Sequence, residues 1–178
     1  GPYPFLYANN DFEGHRVRLG GKTNAKFSKK IEFSGYLAYG TQDNTFKHDL
    51  QARYIFNRRP WSEIRFKRHQ DLEQLGLTTG SQGNNLFEAF SRWGKIRGPY
   101  TSTFHLGEYF RQLNKNFSIK TSFQQTNFNF HFPFEYFLAD NTTKSGLNSS
   151  ELSVSLRFSK DEVFVVSNNS RTSLGSKK

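Results

Sequence analysis

Five histidines, His15, His48, His69, His105 and His131, are the side chains in this sequence best suited to hold a metal or shuttle a proton. A zinc site needs three or four convergent donors, and these five are scattered without ligand spacing in a chain that has no cysteine. The lack of cysteine also removes disulfide frameworks and thiol nucleophiles. A hydroxyl nucleophile is conceivable, because Ser118 or Ser122 could meet His105 across neighbouring strands, as in barrels that cleave lipids at a membrane boundary. Plain polar residues of a lumen or rim are the simpler reading of them. Two acidic pairs, Asp11 with Glu13 and Glu63 with Asp71, have the composition for glycoside cleavage. Nothing near them in sequence would separate the acidities of the two carboxyls, and the many arginines make ion pairing the simpler reading. Neither a nucleophile elbow nor a phosphate-cradling glycine loop is present. No catalytic, cofactor or metal site is expected, and the chain reads as something other than an enzyme.

Charge is the stronger signal. Lys and Arg number 25 against 15 Asp and Glu, a formal +10, and cations interleaved with aromatics also describe nucleic-acid binders. The best segments for that are Arg58-Arg59-Pro60-Trp61 and Arg65-Phe66-Lys67-Arg68. A stacking platform needs rings and cations on one face, whereas alternation puts Phe66 with Arg68 but opposite Arg65 and Lys67, which argues against nucleic acid. Charges of both signs recur instead at alternate positions: Arg16, Arg18, Glu32, Lys47, Asp49, Arg53, Glu63 and Arg65. If those strands surround a hollow, these eight are the candidates to line it, either plugging it by pairing or setting its charge preference.

The elements that would position them are strands. Successive side chains of a strand point to opposite faces, and period-two alternation recurs along the chain. Ile31, Phe33, Gly35, Leu37 and Tyr39 oppose Lys30, Glu32, Ser34, Tyr36 and Ala38. Phe46, Leu50, Ala52, Tyr54 and Phe56 oppose Lys47, Asp49, Gln51 and Arg53. Phe104, Leu106 and Phe110, then Phe117, Ile119 and Phe123, then Phe128 to Tyr136 at every second residue, continue the theme, and Leu152, Val154, Leu156 and Phe158 close it. Short turn signals between these windows predict an antiparallel meander. Long connections are expected at about 73–98 and 140–149, with a short helix over Leu86 to Trp93 inside the first. The alternation changes phase between Phe123 and Phe128, which requires either a hairpin at Gln124 to Asn127 or one tall strand with a bulge. The Gly20-Gly21 pair reads as a bulge, a bend or a close backbone approach.

At 178 residues the chain makes one domain, 1–178. No window approaches the roughly 18 apolar residues of a membrane-spanning helix. Several strand windows do run to ten or more residues, the length of a tilted membrane strand rather than the 5 or 6 typical of soluble sheets. Long loops at one end and short turns at the other is the layout of outer-membrane barrels. The fold class expected is all-β, an antiparallel meander forming part of a transmembrane β-barrel, with its phenylalanine faces toward lipid. Tyr36, Tyr39, Tyr54, Phe56, Trp61, Tyr100, Tyr136 and Phe137 would suit interfacial girdles. The alternative from another class is a soluble all-β binding module for glycan or nucleic acid, with the same faces packed together.

The segment Asp11-Phe12-Glu13-Gly14-His15-Arg16-Val17-Arg18-Leu19-Gly20-Gly21, followed by Thr23-Asn24 and Phe27-Ser28-Lys29, resembles the uncharacterised outer-membrane barrel family of Bacteroidetes that often follows a carboxypeptidase-regulatory-like domain. Gly35 to Gly40, Asp43 with Phe46-Lys47, Trp61-Ser62-Glu63, Asp71 to Gln74 and Ser150-Glu151-Leu152 with Arg157-Phe158 resemble successive strands of that family in order. The resemblance implies a bacterial outer-membrane location and a structural, transport or translocation role through a charged lumen. It implies that this chain is an internal segment of a longer barrel, with outer-membrane lipid and the remaining barrel or other envelope proteins as partners. It supplies no reaction and no cofactor.

Overall fold

The computed structural model describes residues 6–76, 90–133, 136–137, 143–144, 146–160, 162–166 and 170–176. These form, in chain order, β1 (Tyr7–Asn10), β2 (Gly14–Lys22), β3 (Ile31–Gly40), β4 (Phe46–Arg58), β5 (Trp61–Gln74), β6 (Pro99–Gln112), β7 (Phe117–Phe130), β8 (Tyr136–Phe137), β9 (Thr143–Lys144), β10 (Gly146–Phe158), β11 (Glu162–Val166) and β12 (Arg171–Ser176). The fold is all-β. Eight strands make one antiparallel meander sheet in the order β1-β2-β3-β4-β5-β6-β7-β10, while β8-β9 and β11-β12 are separate two-stranded ribbons. The sheet is not closed, and β1 and β10 are its edges.

The sheet curls. Arg16 on β2 reaches Asp71 on β5 with two parallel hydrogen bonds, Nη1 to Oδ1 and Nη2 to Oδ2, both 2.8 Å. Two strands lie between them, and in a flat sheet backbones three spacings apart would be separated by about 14 Å. Tyr36 on β3 also donates to Asp71, at 2.5 Å. Glycine permits this curvature at Gly35, whose φ is 151° and where a Cβ would lie 2.0 Å from the Asp49 carbonyl oxygen. A Cβ at Gly20 would lie 2.8 Å from the Gly35 carbonyl. Pairing runs unbroken from Arg16↔Gly40 to Lys22↔Ser34, so the glycine pair marks a close approach and not a bulge.

Alternation then sorts side chains between a concave and a convex face. Large apolar groups stand exposed on the convex face, with Leu19, Phe46 and Leu152 each at 71% and Phe33 at 48%. Charges are enclosed on the concave face, where Glu13 and Asp71 are at 0% and Arg16 at 2%.

Three sequence expectations change. Residues 117–130 form one strand, and neither its pairing with β6 nor that with β10 contains a bulge. The apolar residues themselves change face: Phe117, Ile119 and Phe123 are convex, whereas Phe128 and Phe130 are concave, where they pack near Tyr100 at ring distances of 6.0 and 5.9 Å. Phe104, Leu106 and Phe110 on β6 are concave too, because register pairs Phe104 with His69, Leu106 with Lys67 and Glu108 with Arg65. Of the girdle candidates, Tyr39, Tyr54 and Phe56 are convex. Tyr36, Trp61 and Tyr100 turn inward, since each finds a polar neighbour there; Trp61 Nε1, for example, donates to Glu63 at 3.0 Å. The side chains of Tyr136 and Phe137 lie outside the described residues.

Turns of two to four residues join β4 to β5, β6 to β7 and β10 to β11 at one end, where residues 23–30 also join β2 to β3; the two longest connections, 75–98 and 131–145, leave from the other, together with the short turns 11–13 and 41–45. The second connection ends earlier than the sequence suggested, because β10 begins at Gly146. Half of the expected helix over 86–93, residues 86–89, lies outside the described residues; Phe90 and Ser91 are helical, and the chain then turns, with Trp93 N–H donating to the Phe90 carbonyl at 3.1 Å.

The convex apolar belt slopes across the sheet. The row Leu152, Phe123, Gly107, Phe66, Ala52, Phe33 is apolar throughout. A row nearer the long connections starts apolar at Leu19 and Leu37 and passes through His48, Gln70, Thr103 and Asn127 to Asn148. A belt of constant height traces such a diagonal when strands are tilted against it.

Candidate functional site

The concave face is the chemically distinctive surface. All eight residues picked out by alternation, Arg16, Arg18, Glu32, Lys47, Asp49, Arg53, Glu63 and Arg65, lie on it, and the curl brings in others.

One chain of opposite charges crosses six strands. Lys22 on β2 meets Glu32 on β3 at 3.1 Å, Glu32 meets Arg53 on β4 at 2.9 Å, and Arg53 meets Glu63 on β5 at 3.5 Å. Arg65 is 3.1 Å from Glu63 and 3.2 Å from Glu108 on β6, which ends the chain at Lys120 on β7, 2.6 Å away. Each carboxylate sits between two cations, so no isolated charge is enclosed along the row.

A second cluster lies toward the long connections. Glu13, in the turn before β2, accepts from Arg16 at 2.5 Å and from Lys47 at 2.7 Å, and Lys47 also pairs with Asp43. Asn10 fixes that turn by donating to Glu13 at 3.0 Å while its own oxygen accepts from the Glu13 N–H at 2.7 Å. Asp71 accepts from Arg16 and Tyr36 and is 3.2 Å from Arg92. Arg18 stacks over the Tyr36 ring at 3.5 Å. Below this, Asp49 meets Lys67 at 2.9 Å and His69 at 2.8 Å, and Phe104 stacks on His69 at 4.7 Å.

Arg92 comes from the connection between β5 and β6. It donates to the Leu72 carbonyl at 2.7 Å. Burial works against its charge, but Asp71, with help from Glu73, outweighs that and holds the guanidinium above its ordinary value. The backbone beside it is tied to β1: Gly94 N–H donates to the Asn9 carbonyl at 2.9 Å, and Asp11 N–H to the Gly94 carbonyl at 3.0 Å. The described part of the connection around Arg92 and Gly94 is therefore held against the concave face and β1.

The candidate reactive pairs do not assemble. His105 is convex and pairs across with Gln125, whereas Ser118 and Ser122 are concave, so the sheet stands between them. Glu63 and Asp71 belong to different ion-pair groups. Among the described residues no three His, Asp or Glu side chains are grouped to hold a metal. Sequence reading missed Asp71, Arg92, Glu108 and Lys120 as members of the network. Alternation from Glu63 points to Asp71, but its partners lie on strands far away in sequence, and Glu108 is hidden among apolar neighbours of the same parity.

Comparison with known proteins gives no match to a family model, a curated protein or a solved structure.

Proposed function

We propose that this chain is part of a bacterial outer-membrane β-barrel, with its convex face against lipid and its concave face turned to the lumen, in a structural, transport or translocation role. The observation that carries this reading is the inversion of the two faces. Burying charges while leaving Leu19, Phe33, Phe66, Phe123 and Leu152 uncovered runs against the pattern of a water-soluble sheet, whose apolar side packs into a core. It is the pattern of a wall between hydrocarbon and an aqueous interior. Strands of 13 and 14 residues are long enough to cross with tilt. The sloping belt and the opposition of long and short connections point the same way. The density of ion pairs favours a packed wall around β2 to β5 over an open ion path there.

Membrane association tests this directly. The chain refolded in dioleoylphosphatidylcholine vesicles should co-float with them. Phe33→Arg, which places a cation on the convex face, should lower stability in the bilayer by about 2–4 kcal/mol or block insertion. A chain that stays monomeric and folded in water without detergent would overturn the reading.

A further inference from the structure

The convex face carries a trough of about 1130 Å³, lined among others by Phe33, Leu50, Ala52, Phe66, Gly107 and Phe123. Its wall toward the long connections is polar: Arg68, His105 and Gln125 are direct register neighbours on β5, β6 and β7. All three are exposed, and none forms a side-chain hydrogen bond or ion pair with a described residue.

Arg68 has no protein carboxylate within its own face. Every acidic residue of the eight-stranded sheet, Glu32, Asp49, Glu63, Asp71, Glu73, Glu108 and Glu151, has concave parity. The chain's anions are thus spent on concave cations, while a guanidinium stands on the apolar side at the upper edge of the belt. Immediately below it, along the same trough, lie the rings of Phe66 and Phe123 and the open space over Gly107.

We propose that this trough binds a phosphate-bearing acyl lipid, its phosphate held by Arg68 with His105 and Gln125 and one acyl chain lying along Phe66, Gly107 and Ala52. The argument is charge complementarity joined to shape. A guanidinium offers parallel N–H donors that match phosphate oxygens, and it is stronger in that role where water is partly excluded. The small residues leave the groove in which a chain can bury. This inference rests on the membrane reading above.

The test uses the full chain in dodecyl maltoside micelles, with dioleoyl phosphatidic acid as probe and retained lipid counted by native mass spectrometry. Dioleoylglycerol supplies the same chains without phosphate, and inorganic phosphate supplies the anion without chains. Wild type should retain phosphatidic acid well above dioleoylglycerol, and millimolar inorganic phosphate should not displace it. Arg68→Gln should bind phosphatidic acid about ten-fold more weakly, and Arg68→Lys should restore part of the loss. Gly107→Leu should reduce retention of both lipids; a Cβ there meets only Phe66 ring carbons at 3.7 and 3.9 Å, so the strand can accept it. Arg111→Gln, which removes the other convex arginine, should change nothing. Equal retention by wild type and Arg68→Gln, an equal loss in Arg111→Gln, or displacement by inorganic phosphate would each overturn the lipid site. Co-flotation of wild type and Arg68→Gln with phosphatidylcholine vesicles is read separately: its success leaves the membrane reading standing if the site fails, and its failure in wild type removes both.

Discussion

The concave faces of β2 to β5 and of β7 with β10 differ sharply although their strands are similarly built. In the first region charges are enclosed and paired, most with an adjacent strand and two, Arg16 with Asp71 and Lys47 with Glu13, with an element that is not a neighbour. In the second, Ser118, Ser122, Gln124 and Thr126 on β7 face Arg157, Ser153, Glu151 and Ser149 on β10, and all of these but Thr126 are half-buried or exposed. Lys120 is the last member of the charge ladder, 44% exposed, and its register neighbour on β10 is Ser155. A charge is enclosed only where an opposite charge reaches it, from an adjacent strand along the ladder or, for Arg16 with Asp71 and Glu13 with Lys47, from farther round the curl. On β10 the concave positions go to hydroxyls, which tolerate either water or a neighbour, and to the exposed Glu151 and Arg157, the latter paired with Glu162 on β11.

The sharpest way to break this contrast is to remove Asp71. Asp71→Ala leaves Arg16, Arg92 and Tyr36 around a vacant position and should cost about 3–5 kcal/mol in urea unfolding from micelles. A loss below about 1 kcal/mol would mean that the cluster is decorative. Arg16→Met combined with Asp71→Leu should recover part of the loss, because Arg16 is no longer enclosed without a partner and Arg92 keeps Glu73 at 4.0 Å.

The next effect separates faces instead of regions. Phe33→Arg and Phe130→Arg look equivalent in an alternating pattern, but register puts Phe33 opposite Ala52 on the convex side and Phe130 opposite Tyr100 on the concave side. The first should lose the 2–4 kcal/mol of a cation near mid-bilayer. The second, at the end of β7 beside the long connection, should lose less than half of that. Equal losses in vesicle unfolding would show that the two residues share a solvent.

That pair also marks where the sequence stopped being informative. Alternation places Glu32, Lys47, Asp49, Arg53, Glu63 and Arg65 on one face, because β3 and β4 carry a mostly apolar opposite face and, locally on β5, Ile64 and Phe66 oppose Glu63 and Arg65. It failed on β6, where Phe104 and Leu106 share the face of Glu108: a ring stacked on His69 or laid under Lys67 is as apolar as one facing lipid, and parity alone cannot tell them apart. It failed again beyond Phe123, where Asn127 and Asn129 take the convex positions and the rings move inside. The Arg16–Asp71 pairing was illegible for a different reason, since it depends on curvature set partly by Gly35 and not on any local spacing.

Glu108 joins the two regions and should show an intermediate effect. It bridges Arg65 and Lys120, and Glu108→Gln should lower stability by about 1 kcal/mol, because Arg65 keeps Glu63 while Lys120 is already half in solvent. A larger loss on unfolding would move β6 into the enclosed region.

The smallest expected effect is the most diagnostic of what lies beyond β7. Ser153→Lys puts a cation on the concave face beside Ser122, with Glu151 two residues away on the same face. If that part of the concavity is open to water, the change should stay within about 0.5 kcal/mol. The same cation inserted among the paired groups, at Ser34 beside Gln51 and Lys22, should cost more, because every carboxylate in reach is already shared between two cations. Measuring the two lysines side by side under one denaturant therefore reads the hydration of each half without reference to the rest of the molecule. A Ser153→Lys loss as large as that of Ser34→Lys would mean the hydroxyl face is enclosed by something that pairs with the β10 edge.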